Sequence, residues 1–179
     1  MAAEAPGATD RARPDPMPPL RLRRSVRALV LDETERILLC RQVVPETGTT
    51  VWAAPGGGIE QHERPLAALR RGQREEVGLA VEHDPPHVWH QEVGGPGYAV
   101  GHDGVVNDYL LVRTAWFAPR GALTDAELAA EHIVGPQWWR PAEISAYRGP
   151  ELFSPRDLAT PLRALLSSGV PREPLVLGV

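Results

Sequence analysis

Residues Trp52–Leu79, WAAPGGGIEQHERPLAALRRGQREEVGL, decide how this chain folds. They join a triple-glycine turn (Gly56, Gly57, Gly58) to a helix that closes on paired carboxylates, Glu75 and Glu76. Glycine lets a backbone approach a ligand and supplies positive φ. Carboxylates beside arginines on one helix suit a hard cation and a phosphate chain. Pro65 suits the first helical position, where its missing N–H is no loss, and Gly78 suits the residue just past the helix end. Leu66, Leu69, Gln73 and Val77 fall on one stripe, predicted to face the core, with Arg71, Glu75 and Glu76 on or beside the other side. Two neighbours sit badly in that helix. Gly72 is worse than alanine there by ~1 kcal/mol, and Gln73 brings an amide to the core stripe that needs hydrogen-bond partners.

Upstream, Val26, Ala28 and Val30 alternate with Arg27, Leu29 and Leu31, the pattern of a strand with at least one buried face. The cluster Asp32–Glu35 reads as a turn and Ile37–Gln42 as the second strand of a hairpin. Val43–Thr50 reads as a loop, and Val51–Ala53 as a short strand feeding the glycine turn. Downstream, strand is predicted around Val88–Val93, a loop at Gly94–Gly97, and a central, strongly apolar strand over Asp108–Ala118. Thr124–Glu127 has a capping pattern and opens a short helix. A strand over Gln137–Arg140 and a helix over Pro141–Tyr147 follow. Ser154–Asp157 is predicted to cap a last helix, Asp157–Leu166, and Pro171–Val179 to run extended. Strands on both sides of one central helix, without regular βαβ alternation, indicate an α+β fold. Residues 1–19 carry almost no large apolar side chain and are predicted to form a disordered or extended tail. Residues 20–179 then form one domain that includes the C-terminal helix.

The chain of 179 residues is long enough for one well-buried core and too short for two ordinary ones. A formal charge of −4 and a pI near 5.9 leave no footprint for duplex nucleic acid. A small nucleotide is compatible, because its site needs only local charge and a metal. Cys40 is the single cysteine, so no intramolecular disulfide forms, and its place in the apolar run Ile37–Leu39 makes it a buried thiol. No run of ~18 apolar residues is present, so no transmembrane helix is expected. The N-terminus lacks the continuous apolar core of a secretory signal, and a cytoplasmic setting is the expectation.

The run Gly57-x5-Glu63-x7-Arg71-x3-Glu75-Glu76-x-Gly78-Leu79 resembles the Nudix box, G-x5-E-x7-R-E-U-x-E-E-x-G-U, where U is a bulky aliphatic residue. Trp52 and Pro55-Gly56 ahead of it, and Trp138-Trp139 followed by Ala142-Glu143-Ile144, extend the resemblance over roughly residues 21–147. It implies a Nudix-type α/β/α sandwich with a mixed β-sheet. It also implies a Mg²⁺- or Mn²⁺-dependent (MutT-like) hydrolase of a diphosphate bond in a nucleoside diphosphate linked to another group. The small nucleotide-type substrate is the expected partner, with no membrane or duplex nucleic acid, and a homodimer is left open. The metal ligands implied are Glu75, Glu76, Glu63 and the carbonyl of Gly57. Arg71 would fix the Glu75 rotamer from one helical turn away.

Two adjacent positions depart from the box, with Gly72 where it has Glu and Gln73 where it has an aliphatic residue. In the family that Glu and the second Glu of the Glu-Glu pair hold the metal together. Here the i, i+4 partner of Glu76 has no side chain. A replacement base from a later loop is expected at Glu127 or Glu131, with His90, Glu92 and His102 as weaker candidates. Substrate contacts are expected at Arg41, Trp52, Gly56, Gly57 and Gly58, with Trp89 a further aromatic candidate. His87, His90 and His102 do not show the linear spacing of zinc ligands. The alternative reading is a degenerate Nudix domain that binds a nucleotide or partner without efficient hydrolysis. A third is an interaction module using the N-terminal tail.

Overall fold

The strand β1 (Leu22–Leu31) is apolar on both faces from Ala28 onward, the pattern of a strand covered from two sides. In the computed structural model, which describes residues 20–45, 47–95 and 101–178, it lies at the middle of the sheet. The tail expected over residues 1–19, and part of the loop that follows Gly94, lie outside the described residues.

The remaining elements, in chain order, are β2 (Ile37–Val43), β3 (Thr50–Ala53), β4 (Gly56–Gly58), α1 (Pro65–Glu76), β5 (His87–Gly94) and β6 (Gly104–Arg113). After them come α2 (Asp125–Ala130), β7 (Ile133–Trp139), α3 (Pro141–Ala146), β8 (Leu152–Ser154), α4 (Ala159–Ser168) and β9 (Leu175–Leu177). The sheet runs β8-β3-β2-β1-β6-β5-β9, with β4 paired to β1 and β7 to β2. Parallel pairs (β1 with β6, β3 with β8, β5 with β9) mix with antiparallel ones. One face packs on α1 and α2 through Val26, Ala28, Val30, Leu69 and Leu128. The other packs on α3 and α4 through Leu29, Leu31, Trp89, Tyr109, Ile144 and Leu162. This is the expected three-layer sandwich with a mixed sheet.

The expected hairpin forms, joined at Leu31↔Ile37, and its turn is held by Asp32. The Asp32 carboxylate accepts hydrogen bonds from the Thr34 and Arg36 backbone N–H groups and pairs with the Arg36 guanidinium, 2.6 Å away. Two strand boundaries move. The strand predicted over Asp108–Ala118 runs instead over Gly104–Arg113, because its parallel ladder follows β1 from Leu22 to Leu31 and ends where β1 ends. β7 begins at Ile133 rather than Gln137, since β2 offers it partners that far. The last helix starts at Ala159, and Asp157 accepts a 2.9 Å hydrogen bond from the Thr160 hydroxyl. The extended C-terminal run adds β9 alongside β5. No helix among the described residues is long and apolar enough to cross a membrane.

Candidate active site

The glycine turn is itself a strand, β4, laid against β1 with Val26 opposite Gly57 and Arg27 opposite Gly56. Gly56 has φ +145°, and a Cβ there would lie 2.3 Å from the Val26 carbonyl oxygen, so only glycine fits. Helix α1 then comes down onto this turn through Gly72. A Cβ added at Gly72 would meet Gly56 Cα at 3.4 Å, ordinary contact, so the space beside the turn admits a side chain.

The buried face of α1 comprises Ala68, Leu69, Gly72, Gln73 and Glu76. Ala68, Gly72 and Glu76 are four residues apart and lie on one line, so Glu76 points inward. The expectation that it shares the outer side with Arg71 and Glu75 is corrected here. Its carboxylate is 5% exposed and accepts a 3.2 Å hydrogen bond from the Gly56 N–H, with the Cys40 thiol 3.9 Å away. Burial pushes its pKa up from 4.5 to about 7, against the Arg27 charge and the Gly56 N–H, with Glu131 and Glu75 adding to the rise. Burial likewise raises the Cys40 thiol well above its usual value, an inert state as expected.

Gln73 is fully buried on the same face. Its Nε2 donates to the Pro55 carbonyl at 2.9 Å, fastening α1 to the residue before the glycine turn, while its Oε1 accepts nothing among the described residues.

Arg71 does hold Glu75, donating from Nη1 to Oε2 at 3.4 Å. Its stronger partner is Glu63, gripped by Nε at 3.0 Å and Nη2 at 2.9 Å in a forked pair. Nη2 also donates to the Gly58 carbonyl at 3.2 Å. The Arg71 hydrogen bonds hold the Glu63 carboxyl down at about 2. Both Glu63 oxygens are thus engaged, one of them also by the Glu60 N–H. In these contacts Glu63 is a brace between the glycine turn and the helix rather than a helix cap. Glu75 is left half-exposed, and Glu76 is buried against the Gly56 N–H.

Other expected residues have partners of their own. Arg41 and Trp52 both bind Glu151, Arg41 through Nε at 2.8 Å and Trp52 through Nε1 at 2.6 Å. Trp52 is otherwise buried edge-on against Trp139, 5.0 Å between centroids, and Trp89 is buried against Tyr109, so neither offers a free stacking face. Glu127 closes a capping box on α2, its Oε2 accepting from the Thr124 N–H at 2.8 Å and the Thr124 hydroxyl at 2.7 Å. These hydrogen bonds hold the Glu127 carboxyl below its usual range. Glu131, just past the end of α2, is, with Glu75, a carboxylate whose charge reaches Glu76.

One residue of this environment escaped the sequence reading. Arg27 donates to the Ala54 carbonyl at 2.8 Å and to Asn107 Oδ1 at 3.2 Å, and is the cation that most opposes the neutralisation of Glu76. An arginine set between the buried apolar residues Val26 and Ala28 was the available signal.

The NUDIX domain family model matches residues 21–165. An RNA pyrophosphohydrolase of Halorhodospira halophila is 42% identical over 57 residues, which is 32% of this chain and 29% of that protein. The match thus spans less than a third of that relative's length. Among solved structures, a NUDIX hydrolase from Nitrosomonas europaea superposes with a TM-score of 0.61 at 19% identity, over 87% of this chain and 94% of the other. The NUDIX domain of Shewanella oneidensis NrtR, complexed with ADP ribose, superposes with a TM-score of 0.57 at 14% identity, over 86% and 93%. At such identities the superpositions speak for the fold. The family match covers most of the chain and includes the glycine turn, the Arg71 brace and the carboxylate pair, so this protein belongs to the Nudix family.

Proposed function

We propose that the chain is a metal-dependent hydrolase that opens the diphosphate bond of a nucleoside diphosphate linked to a second group. The observation that carries the reading is the Glu63–Arg71–Glu75 brace, which fixes one carboxylate beside a second, buried one at a glycine turn. The donor set suits Mg²⁺ or Mn²⁺. Glu76 is an acid with one backbone hydrogen bond and no ion pair among the described residues, a poor arrangement for a carboxylate alone and a good one beside a hard cation. Glu76, Glu75 and the Gly57 carbonyl would hold the ion. When bound, it supplies charge neutralisation on the diphosphate oxygens. Arg71 keeps Glu75 in position and ties Gly58 to the helix. Glu131 is the residue proposed to orient the attacking water and take its proton as the bridging P–O bond breaks. The nucleotide class is supported by the ADP ribose complex of the Shewanella domain and by the pyrophosphohydrolase relative.

The test is incubation of the purified chain with a panel of nucleoside diphosphate derivatives and Mn²⁺ or Mg²⁺. Turnover of at least one, lost in Glu76→Gln, is expected. Absence of turnover across the panel sinks the reading.

A second reading, a domain that binds such a nucleotide with attenuated hydrolysis, is favoured by Gly72. This position lies against Gly56 and Gly57, one turn before Glu76, and contributes no carboxylate. Because a Cβ fits there, Gly72→Glu is expected to fold and to tighten metal binding by ~10–100-fold. An unchanged metal affinity and rate would mean that the site is complete as it stands.

A further inference from the structure

Linear spacing hides a cluster that the sheet assembles. His87 and His90 are three residues apart on β5, and regular alternation would put them on opposite faces. The register slips between His87 and Trp89, where His87 pairs with Leu110 and Trp89 with Tyr109, so two residues of β5 oppose one of β6. Consecutive Val88 and Trp89 therefore both enter the α3/α4 core, and His87 turns to the same face as His90. Asp108, directly across from His90 on β6, completes the group. The linear spacing of zinc ligands that these histidines lack is replaced here by sheet pairing, which brings His87 and His90 to Asp108.

We propose that His87, His90 and Asp108 form a second metal site, selective for a borderline divalent ion of the Zn²⁺ type. The atoms converge. His90 Nδ1 lies 2.7 Å and His87 Nε2 3.3 Å from the same oxygen, Asp108 Oδ1, and the candidate ligand atoms all fall within 4.8 Å of one another. A tetrahedral ion with ligands at ~2.0–2.1 Å keeps them about 3.3 Å apart. The His87–Asp108 spacing already matches that edge, and the His90 hydrogen bond opens to it by about half an ångström. The other carboxylate oxygen faces Arg24 Nη2 at 3.9 Å, so Oδ1 is the free corner of the group. His87 Nε2 also lies 2.9 Å from the Trp89 carbonyl, a contact it would exchange for the ion. The side chains are 38%, 35% and 17% exposed for His87, His90 and Asp108, so the ion has an entry path. Three protein ligands leave a fourth tetrahedral position for water or an anionic oxygen.

The chemistry separates this site from the carboxylate pair. Two imidazoles and one carboxylate select Zn²⁺, Co²⁺ or Ni²⁺, whereas Mg²⁺ takes oxygen ligands. The location adds interest. Asp108 pairs with Val26, which pairs with Gly57, so Asp108 lies two strand spacings, about 10 Å, across the sheet from the glycine turn on the α1 face, with the two histidines one strand further. An ion there would clip β5 to β6 at the border of the proposed catalytic face.

The experiment titrates the full chain with Zn²⁺, and separately Co²⁺, in excess Mg²⁺ that fills hard-cation sites. One Zn²⁺ per chain and a tetrahedral Co²⁺ absorption band are expected. Both should weaken at least ~10-fold in His87→Ala and in His90→Ala and persist in the exposed control His83→Ala. Histidine-ring NMR of the unmodified chain provides a measurement independent of variant folding, with Zn²⁺-dependent shifts expected at His87 and His90. No Zn²⁺ binding in Mg²⁺, binding that survives both substitutions, or ring shifts confined to other histidines each overturns the proposal. Diphosphate hydrolysis is not the readout, so failure here leaves the catalytic reading standing.

Discussion

Replacing Glu76 by glutamine separates what stabilises this fold from what the active site needs. Burial raises the Glu76 pKa from its usual 4.5 to about 7. A raised acid favours its protonated form in the folded state. In the metal-free protein it therefore makes no contribution below pH 4.5, lowers stability as pH climbs from 4.5, and exerts its full destabilisation above 7. At ~1.4 kcal/mol for each pH unit separating the two values, the full effect is about 3 kcal/mol at pH 8 and under about 1 kcal/mol at pH 5. The substituted amide would keep an oxygen for the Gly56 N–H while carrying no charge. Urea unfolding in chelator should find Glu76→Gln more stable than the parent by about 2–3 kcal/mol at pH 8, with most of the gap gone at pH 5. Added Mn²⁺ should reverse the order, since only the parent gains binding free energy. A gap of the same size at both pH values would refute the buried-charge argument. A parent that gains nothing from Mn²⁺ would refute Glu76 as its ligand.

Three further substitutions follow from the same contacts. Arg71→Lys keeps the charge but cannot grip Glu63 with two nitrogens while reaching Gly58 and Glu75, so turnover should fall by ~10–100-fold with little change in fold by circular dichroism. The Glu63 partner is ionised down to about pH 2, so this loss should be independent of pH across the neutral range. Gln73→Leu removes a buried oxygen that has no partner among the described residues, and the Pro55 carbonyl still accepts from the Ala28 N–H at 2.9 Å, so thermal unfolding should show an unchanged or more stable protein by ~1 kcal/mol. Gly56→Ala drives a Cβ to 2.3 Å from a strand carbonyl and should destabilise by several kcal/mol, about 3 or more, read as loss of the folded baseline in the same melt.

Much of the fold was readable from local chemistry. Pro65 and Gly78 mark the ends of α1, Thr124 and Glu127 form the capping box they suggest, and the alternation in Val26–Leu31 is the central strand. Strand limits were less readable, because a strand such as β6 extends only as far as its neighbour offers partners, and that neighbour lies some 80 residues away in sequence. The roles of single side chains were least readable. Arg41 and Trp52 look like ligand contacts in a list of residues, yet Glu151, about 100 positions on, claims both.

The stretch Trp52–Leu79 by itself determined the turn, the helix, the spacing of its acids and the family they belong to, because these depend on helical period and glycine stereochemistry within a few residues. Only the tertiary structure decided that Glu76 faces inward, that Glu63 is a brace, and that a register slip turns His87 toward Asp108. Each of those outcomes depends on what packs against the residue, and the partner comes from a distant part of the chain.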